Sequence, residues 1–178
     1  DYTGSKYAIA TVNGTSALHL SLKLADVNKD TEVITQSLTF VASANAISYC
    51  NAKPIFIDVS LSTLGMSPVS LSTFLNENCE LREDGFCWNI KSGRKVSACI
   101  VMHTFGLPLE LEEIKIICNQ YNIKLIEDAA GSMGSLYKDM HVGNIGNLSI
   151  LSFNGNKIIT TGGGGMILTN NNILAKKA

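Results

Sequence analysis

Charged side chains are scarce in this chain: Asp, Glu, Lys and Arg make up only 16% of the 178 residues. Soluble domains typically carry roughly 25%, so the shortage predicts surfaces that further chain or another subunit covers. The formal net charge is -1, and the sequence lacks the basic stripe that binds a nucleic-acid backbone. We therefore expect no nucleic-acid partner.

The sequence also lacks the marks of a secreted, zinc-bound or membrane protein. Its five cysteines are an odd number without C-x-x-C spacing, and two of them, Cys99 and Cys118, lie in apolar segments. This pattern argues against a disulfide framework or a metal site and favours a reducing cytoplasm. No apolar run approaches the length of a bilayer span, and no signal sequence is visible. We expect a cytoplasmic protein without a membrane partner.

The hydrophobic content of 46% is enough for a substantial core and predicts one domain. Strand-like segments at 7–12, 32–35, 54–59, 98–102, 124–127, 148–151 and 166–168 alternate with helix-like segments that begin near Ser16, Phe40, Ser67 and Ile114. This alternation predicts an α/β three-layer sandwich, in which helices cover both faces of a mostly parallel central sheet. Residues 79–97 break the pattern and are predicted to be a surface hairpin or insertion without an assigned role.

One strand-like segment leads into Ser152-Phe153-Asn154-Gly155-Asn156-Lys157, and four glycines follow at 162–165. A partly desolvated lysine near positive charge can act as a Schiff-base nucleophile, because both effects lower the pKa of its amine. The alternative is a surface lysine in a glycine-rich turn, since lysine is rarely buried. The glycines would allow the backbone to pass close to a bulky group.

Two further strand ends carry polar groups. Gly14, Thr15 and Ser16 would place backbone N–H groups and hydroxyls at a helix start, which suits a phosphate, although an ordinary helix cap is the alternative. Asp128 ends another strand and is followed by small residues; its alternative is a turn aspartate. Ligands of such sheets bind at the carboxyl ends of the strands. A phosphate cradle, a carboxylate and an amine at that edge suit pyridoxal 5'-phosphate.

These motifs occur in the order and spacing of a known family. Gly14-Thr15-Ser16-Ala17-Leu18, Glu127-Asp128-Ala129-Ala130, Ser152-Phe153-x-x-x-Lys157 and Thr161-Gly162-x-Gly164-Gly165-Met166 resemble the DegT-type nucleotide-sugar aminotransferases. The resemblance covers essentially the whole chain and is greatest to the LegC-type branch. It implies an aspartate-aminotransferase-like large domain of pyridoxal-phosphate fold type I.

The resemblance also implies a role for each matched residue. Lys157 would hold the cofactor as a Schiff base and shuttle protons, and Asp128 would pair with the protonated ring nitrogen. Gly14, Thr15 and Ser16, together with Ser152, would bind the phosphate. Phe40 would stack on the ring, although it also fits the core of an amphipathic helix.

Two positions depart from the family pattern. Asn154 stands where histidine or another residue is common, and no role is assigned to it. Gly131 stands where glutamine or glutamate is common, so the contact to the ring hydroxyl would pass to Ser132 or water.

The implied reaction is transamination of a 4-keto-6-deoxy nucleotide sugar, with glutamate as amino donor, in cell-surface sugar biosynthesis. The resemblance implies a longer chain that forms a homodimer. Residues 1–178 would be its cofactor-binding large domain, incomplete at both ends, and the small C-terminal domain would be absent. A sugar dehydratase on the same scaffold is one alternative, but the resemblance implies histidine in place of Lys157 there. A non-catalytic nucleotide-binding module is another, but the G-x-G-x-x-G pattern that it needs is missing.

Overall fold

The computed structural model describes residues 2–178, which form one large sheet with helices on both faces. The strands are β1 (Tyr7–Thr11), β2 (Thr31–Gln36), β3 (Lys53–Ile57), β4 (Cys79–Leu81), β5 (Cys87–Asn89), β6 (Arg94–Met102), β7 (Lys124–Asp128), β8 (Leu136–Tyr137), β9 (Met140–His141), β10 (Leu148–Ser152) and β11 (Gly165–Thr169). The α-helices are α1 (Gly14–Leu24), α2 (Val41–Tyr49), α3 (Pro68–Asn78), α4 (Leu111–Gln120) and α5 (Asn172–Lys177).

The strand order across the main sheet is β1-β11-β10-β7-β6-β2-β3. The pairs from β10 to β3 are all parallel, whereas β11 runs antiparallel to both of its neighbours, β1 and β10. Six of these seven strands therefore point the same way, and their carboxyl ends lie along one edge. The prediction of a mostly parallel sheet is confirmed.

Alternating side chains of the strands build a separate core on each face of the sheet. In β7, Leu125 packs into the core that α3 and α4 cover, and Ile126 packs into the core that α1 and α2 cover. In β6, Cys99 and Ile100 divide between the two cores in the same way. The three-layer sandwich is thus observed, and the nearly continuous apolar sequence of the central strands follows from burial on both faces.

Several element boundaries differ from the prediction. Helix α1 begins at Gly14, because the side chain of Asn13 caps it by accepting from the Ser16 N–H at 2.7 Å. Strand β6 begins at Arg94, where it pairs with the predicted surface hairpin, now seen as β4 and β5. The short β8–β9 hairpin was not predicted, because strands of two residues carry too little periodicity to detect.

All five cysteines are free thiols buried in the two cores. Among residues 2–178, no helix combines the length and apolar character that crossing a membrane demands.

Candidate active site

A cleft of about 600 Å³ opens at the carboxyl edge of the sheet. Six of the predicted site residues line it: Gly14, Thr15, Phe40, Asp128, Ser152 and Lys157. Ser16 is not among the lining residues, and its backbone N–H already donates to Asn13 Oδ1. The proposed use of the Ser16 amide as a phosphate donor therefore conflicts with the helix cap. Gly14 and Thr15 remain as the first-turn residues that face the cleft.

The N-terminus of α1 and the end of β10 meet at one wall of this cleft. A Cβ atom at Gly14 would lie 2.9 Å from Ser152 Cβ and 3.2 Å from Ser152 Oγ, so only glycine allows this approach. The Ser152 hydroxyl consequently lies beside the first turn of α1, where backbone N–H groups and the helix dipole favour an anion. A hydroxyl and a helix start together form a donor set that suits a phosphate.

The glycine run holds the same wall in place. A Cβ atom at Gly165 would fall 2.4 Å from the Asn13 carbonyl carbon and oxygen and 2.7 Å from Gly14 N. We expected these glycines to pass close to a bulky group, and the group that Gly165 approaches is the backbone at the start of α1. Gly164 reaches φ = +117°, which an L side chain rarely adopts. The run therefore fixes the helix start against the sheet.

Lys157 lies near the tip of the loop that joins β10 to β11. The base of the loop is closed by two backbone hydrogen bonds, from Phe153 N–H to Gly164 O at 2.9 Å and from Thr161 N–H to Phe153 O at 3.1 Å. A turn from Lys157 N–H to Asn154 O, at 3.0 Å, orients the lysine. The half-buried side chain lines the cleft, as predicted from its place after an apolar strand.

Phe40 forms the rim of the cleft opposite the lysine. Its side chain is 62% exposed, which excludes the alternative of a core phenylalanine. It precedes α2 as the N-cap residue instead of lying inside the helix. The Lys157 Nζ atom lies 5.7 Å from the centroid of the Phe40 ring. A flat ring bound over Asp128 would have this aromatic face beside it.

Asp128 lies at the floor of the cleft with only 3% of its surface exposed. Burial raises the pKa of its carboxyl, and four groups oppose that shift: the hydroxyl of Ser43, the N–H of Ala130, Lys157 and His103. Lys157 and Asp128 line the same cleft, and the amine favours the charged form of the carboxyl. A buried carboxylate with few donors would gain from a cationic partner in the cleft.

Ser43 was not predicted as a site residue. It lies on α2, is fully buried, and donates its hydroxyl hydrogen to Asp128 Oδ2 at 2.9 Å. Thr39 in turn donates to Ser43 Oγ at 3.0 Å. The available sequence signal was a polar side chain on the otherwise apolar buried face of a helix, but that signal alone does not identify its acceptor.

The neighbouring acid, Glu127, points to the opposite face of the sheet. It accepts hydrogen bonds from His103 Nε2 at 3.1 Å and from the backbone N–H groups of Gly143, Ile145 and Gly146 at 2.5–2.8 Å. Burial raises its pKa, but the bonds from His103 and these backbone groups outweigh burial, so the pKa is lowered. Glu127 therefore anchors the loop before β10.

Of the two positions that depart from the family pattern, Asn154 lines the cleft and Gly131 has open space around it. A Cβ atom at Gly131 would meet no heavy atom within 4 Å, and Gly131 lines the cleft. Ser132, the predicted substitute for the missing contact, is fully buried outside the cleft, and its Oγ–H points to His103 O at 3.4 Å. The structure does not support Ser132 as a group that touches a ligand.

Comparison with known proteins agrees with this geometry. The model of the DegT/DnrJ/EryC1/StrS aminotransferase family matches residues 1–178. The chain belongs to that family. EpsN of Bacillus subtilis, named as a pyridoxal phosphate-dependent aminotransferase, is 41% identical over 158 residues, which are 89% of this chain and 38% of EpsN. The GDP-perosamine synthase of Caulobacter vibrioides is 37% identical over 161 residues, 90% of this chain and 39% of that protein.

A solved structure shows the same fold. The aminotransferase from Psychrobacter cryohalolentis superposes with a TM-score of 0.84 at 33% identity, and covers 99% of this chain and 40% of its own. The predicted aspartate-aminotransferase-like architecture is confirmed, because the structural neighbours are fold type I sugar aminotransferases. The chain spans about two fifths of the length of the relatives that it matches.

Pyridoxal phosphate is the cofactor of this family, and the residues of the cleft fit it. The N-terminus of α1 with Ser152 supplies donors for a phosphate, and a Cβ atom at Gly14 would close that cradle. Asp128 and Lys157 line the same cleft, where a carboxylate would suit the ring nitrogen and an amine would suit the aldehyde carbon. Bound there, the cofactor supplies an electron sink for cleavage of a bond to the substrate carbon.

Proposed function

We propose that this chain is the cofactor-binding part of an aminotransferase that transfers an amino group to a keto carbon of a nucleotide sugar. The observation that carries the proposal is the arrangement of Lys157, Asp128 and the start of α1 around one cleft, at the carboxyl edge of the sheet. Membership of the aminotransferase family supports the reaction class. The relative named GDP-perosamine synthase supports a sugar carried on a nucleotide diphosphate.

In this proposal the predicted site residues that line the cleft have separate roles. Lys157 Nζ would hold the cofactor, and the same amine would take up and return the proton of the substrate carbon. Asp128 keeps the ring nitrogen protonated, because a buried carboxylate stabilises an adjacent cation. Thr15, Gly14 and Ser152 orient the phosphate, and Phe40 covers one ring face and excludes water.

We further propose a 4-keto-6-deoxy-hexose as the sugar and glutamate as the amino donor, as in the LegC-type branch. Support comes from the Ser-Phe-Asn-Gly-Asn-Lys form of the lysine segment at 152–157. The absence of a disulfide pattern among the cysteines supports a cytoplasmic enzyme.

We propose residues 1–178 as the large domain of a longer chain that forms a homodimer. Apolar side chains on the segments that border the cleft support this proposal, since each is more than half exposed: Val12, Phe40, Phe105, Ile158 and Ile159. Apolar surface of this kind at a binding cleft is typically covered by a partner or a further domain. Sedimentation of the full-length enzyme, with and without cofactor, would show a monomer if the proposal is wrong.

A dehydratase on the same scaffold and a non-catalytic nucleotide-binding module are the alternatives. The full-length enzyme is incubated with pyridoxal phosphate, glutamate carrying labelled nitrogen, and a 4-keto-6-deoxy nucleotide hexose. The proposal expects labelled nitrogen at C4 of the sugar. Loss of a sugar hydroxyl without label would indicate the dehydratase, and a colourless protein that leaves the sugar unchanged would indicate the module.

A further inference from the structure

Asp128 is the end point of a hydroxyl chain that enters the fold from the cleft. Thr39 lines the cleft and donates to Ser43 Oγ at 3.0 Å, and Ser43 donates to Asp128 Oδ2 at 2.9 Å. Ser43 is fully buried on α2, and Asp128 is 3% exposed. The neighbours of Ser43 on the same helix face are Ala46 and Ile47 of the core, so packing alone would favour an apolar side chain at position 43.

The direction of each hydrogen bond in this chain is fixed by chemistry. An ionised carboxylate only accepts, so the single hydroxyl hydrogen of Ser43 points to Asp128. The Ser43 oxygen then accepts the hydrogen of Thr39. Both hydroxyl dipoles therefore present their positive ends toward Asp128, and they favour its charged form in a site where burial favours the neutral form.

The remaining donors to Asp128 are few. Its Oδ1 atom accepts only a long bond from the Ala130 N–H, at 3.2 Å. The titratable side chains that face Asp128 are Lys157, from the β10–β11 loop, and His103, which follows β6. Ser43 is thus the only side chain among residues 2–178 that hydrogen-bonds to this carboxylate. A carboxylate with one side-chain donor keeps lone pairs available to the cleft.

We propose that Ser43 is a positioning residue for the cofactor: it orients Asp128 and holds it ionised, so that Asp128 can pair with the protonated ring nitrogen. Thr39 extends the same function by polarising Ser43. This inference rests on the proposed function, because it assumes that the cofactor ring lies over Asp128. It assigns to α2 a second task besides the packing of one core.

The test compares two probes on the full-length apoenzyme: pyridoxal phosphate, and its 1-deaza analogue, in which carbon replaces the ring nitrogen. Ser43→Ala should weaken binding of pyridoxal phosphate by roughly three- to tenfold, the size of effect that loss of one typical hydrogen bond gives. Binding of the deaza analogue should not change, because the analogue offers Asp128 no N–H. Ser48→Ala, the same change at an exposed position of α2, is the matched control.

Three results would contradict the inference or its basis. Unchanged binding of pyridoxal phosphate by Ser43→Ala overturns the inference, and so does an equal loss with both probes, which indicates a general packing role. Asp128→Asn is measured in parallel, so that failure of the Ser43 inference can be told apart from failure of the proposed cofactor site. If Asp128→Asn weakens pyridoxal phosphate and Ser43→Ala does not, only the role of Ser43 fails; if Asp128→Asn binds both probes as the wild type does, the proposed site fails as well.

Two milder substitutions, Thr39→Val and Ser43→Thr, test the inference if Ser43→Ala does not fold. Thr39→Val is nearly isosteric and removes the donor to Ser43, together with a 3.6 Å contact to Met102 Sδ. It should weaken pyridoxal phosphate by about twofold, less than Ser43→Ala, and leave the deaza analogue unaffected. Ser43→Thr keeps a hydroxyl at the same position and should restore binding toward the wild-type value. A loss in Ser43→Thr as large as in Ser43→Ala would contradict the assignment.

Discussion

Glu127 and Asp128 are consecutive acids at the end of one strand, and the structure gives them opposite surroundings. Glu127 points into the packed face and receives four hydrogen bonds, so its pKa is lowered despite burial. Asp128 points into the cleft face and receives two, so burial dominates and its pKa is raised. The number of donors, and not the depth of burial, separates the two acids.

The difference explains which acid can do chemistry. The carboxylate of Glu127 is already satisfied and stabilises a loop, so it has little to gain from a ligand. Burial makes the charged form of Asp128 unfavourable, and its carboxyl lines an open cleft, so a cationic ring nitrogen would favour that form. Because side chains alternate along a strand, two consecutive residues point to opposite faces of the sheet and can have separate functions.

The largest effect is expected from Lys157→Arg on the cleft face. The charge is kept, but a guanidinium does not form the covalent bond or move the proton at neutral pH. Transamination by the full-length enzyme should fall below detection. Lys138 is exposed and paired with Glu112, so Lys138→Arg serves as the control and should keep full activity. Measurable turnover by Lys157→Arg would remove Lys157 from the chemistry.

The next effect is expected from Asp128→Asn. Loss of the charge beside the ring nitrogen should lower kcat/KM on the order of 10²-fold, as for other charge-stabilising contacts. The free energy of unfolding of the apoprotein at neutral pH should be unchanged or slightly higher, since the raised pKa means that the charged form is unfavourable there. Near wild-type turnover would show that Asp128 is only a turn residue.

Glu127→Gln should show the reverse pattern. The amide keeps one acceptor but places an NH2 group against backbone donors, so the free energy of unfolding should fall by about 3 kcal/mol. The kcat/KM of the folded variant should fall less than in Asp128→Asn. Urea unfolding and steady-state kinetics on the same preparations provide both values. A variant that is fully stable but inactive would contradict the division between the two faces.

The smallest effect is a difference in acid stability of the apoprotein. The lowered pKa of Glu127 contributes stability above its unfolded value of about 4.3, and this is lost as the pH falls through the folded pKa. Glu127→Gln should therefore flatten the acid side of the stability profile.

The raised pKa of Asp128 works with the opposite sign in the same measurement. Its cost is present above the folded pKa and disappears below about 3.9. Any gain in Asp128→Asn should vanish on acidification. Parallel profiles for both variants and the wild type would show that neither carboxyl is perturbed as described.

The fold was predictable because its signals are local. Ser67 followed by Pro68 identified the start of α3, and the apolar segments ending at Asp128 and Ser152 identified β7 and β10. The predicted strand ends do meet at one edge. What the sequence did not reveal depends on contacts between distant segments.

Two examples show why those contacts escape sequence reasoning. Ser43 lies 85 residues from Asp128, and no spacing rule connects a helix serine to that carboxylate. The glycines at 162–165 were predicted to pass close to a bulky group. Gly165 instead packs against the backbone of Asn13, more than 150 residues earlier in the chain. The sequence of Phe40 and its neighbours fits both a residue that stacks on a ligand and a core residue of a helix, and only its exposure in the structure distinguishes them.

The most direct test of the account is to locate the covalent attachment of the cofactor. The full-length enzyme is loaded with pyridoxal phosphate, reduced with borohydride, digested, and mapped by mass spectrometry. We predict one modified peptide, which carries the adduct on Lys157, in the cleft that Asp128 and Phe40 also line. An adduct on Lys124 or Lys138 in place of Lys157 would contradict it.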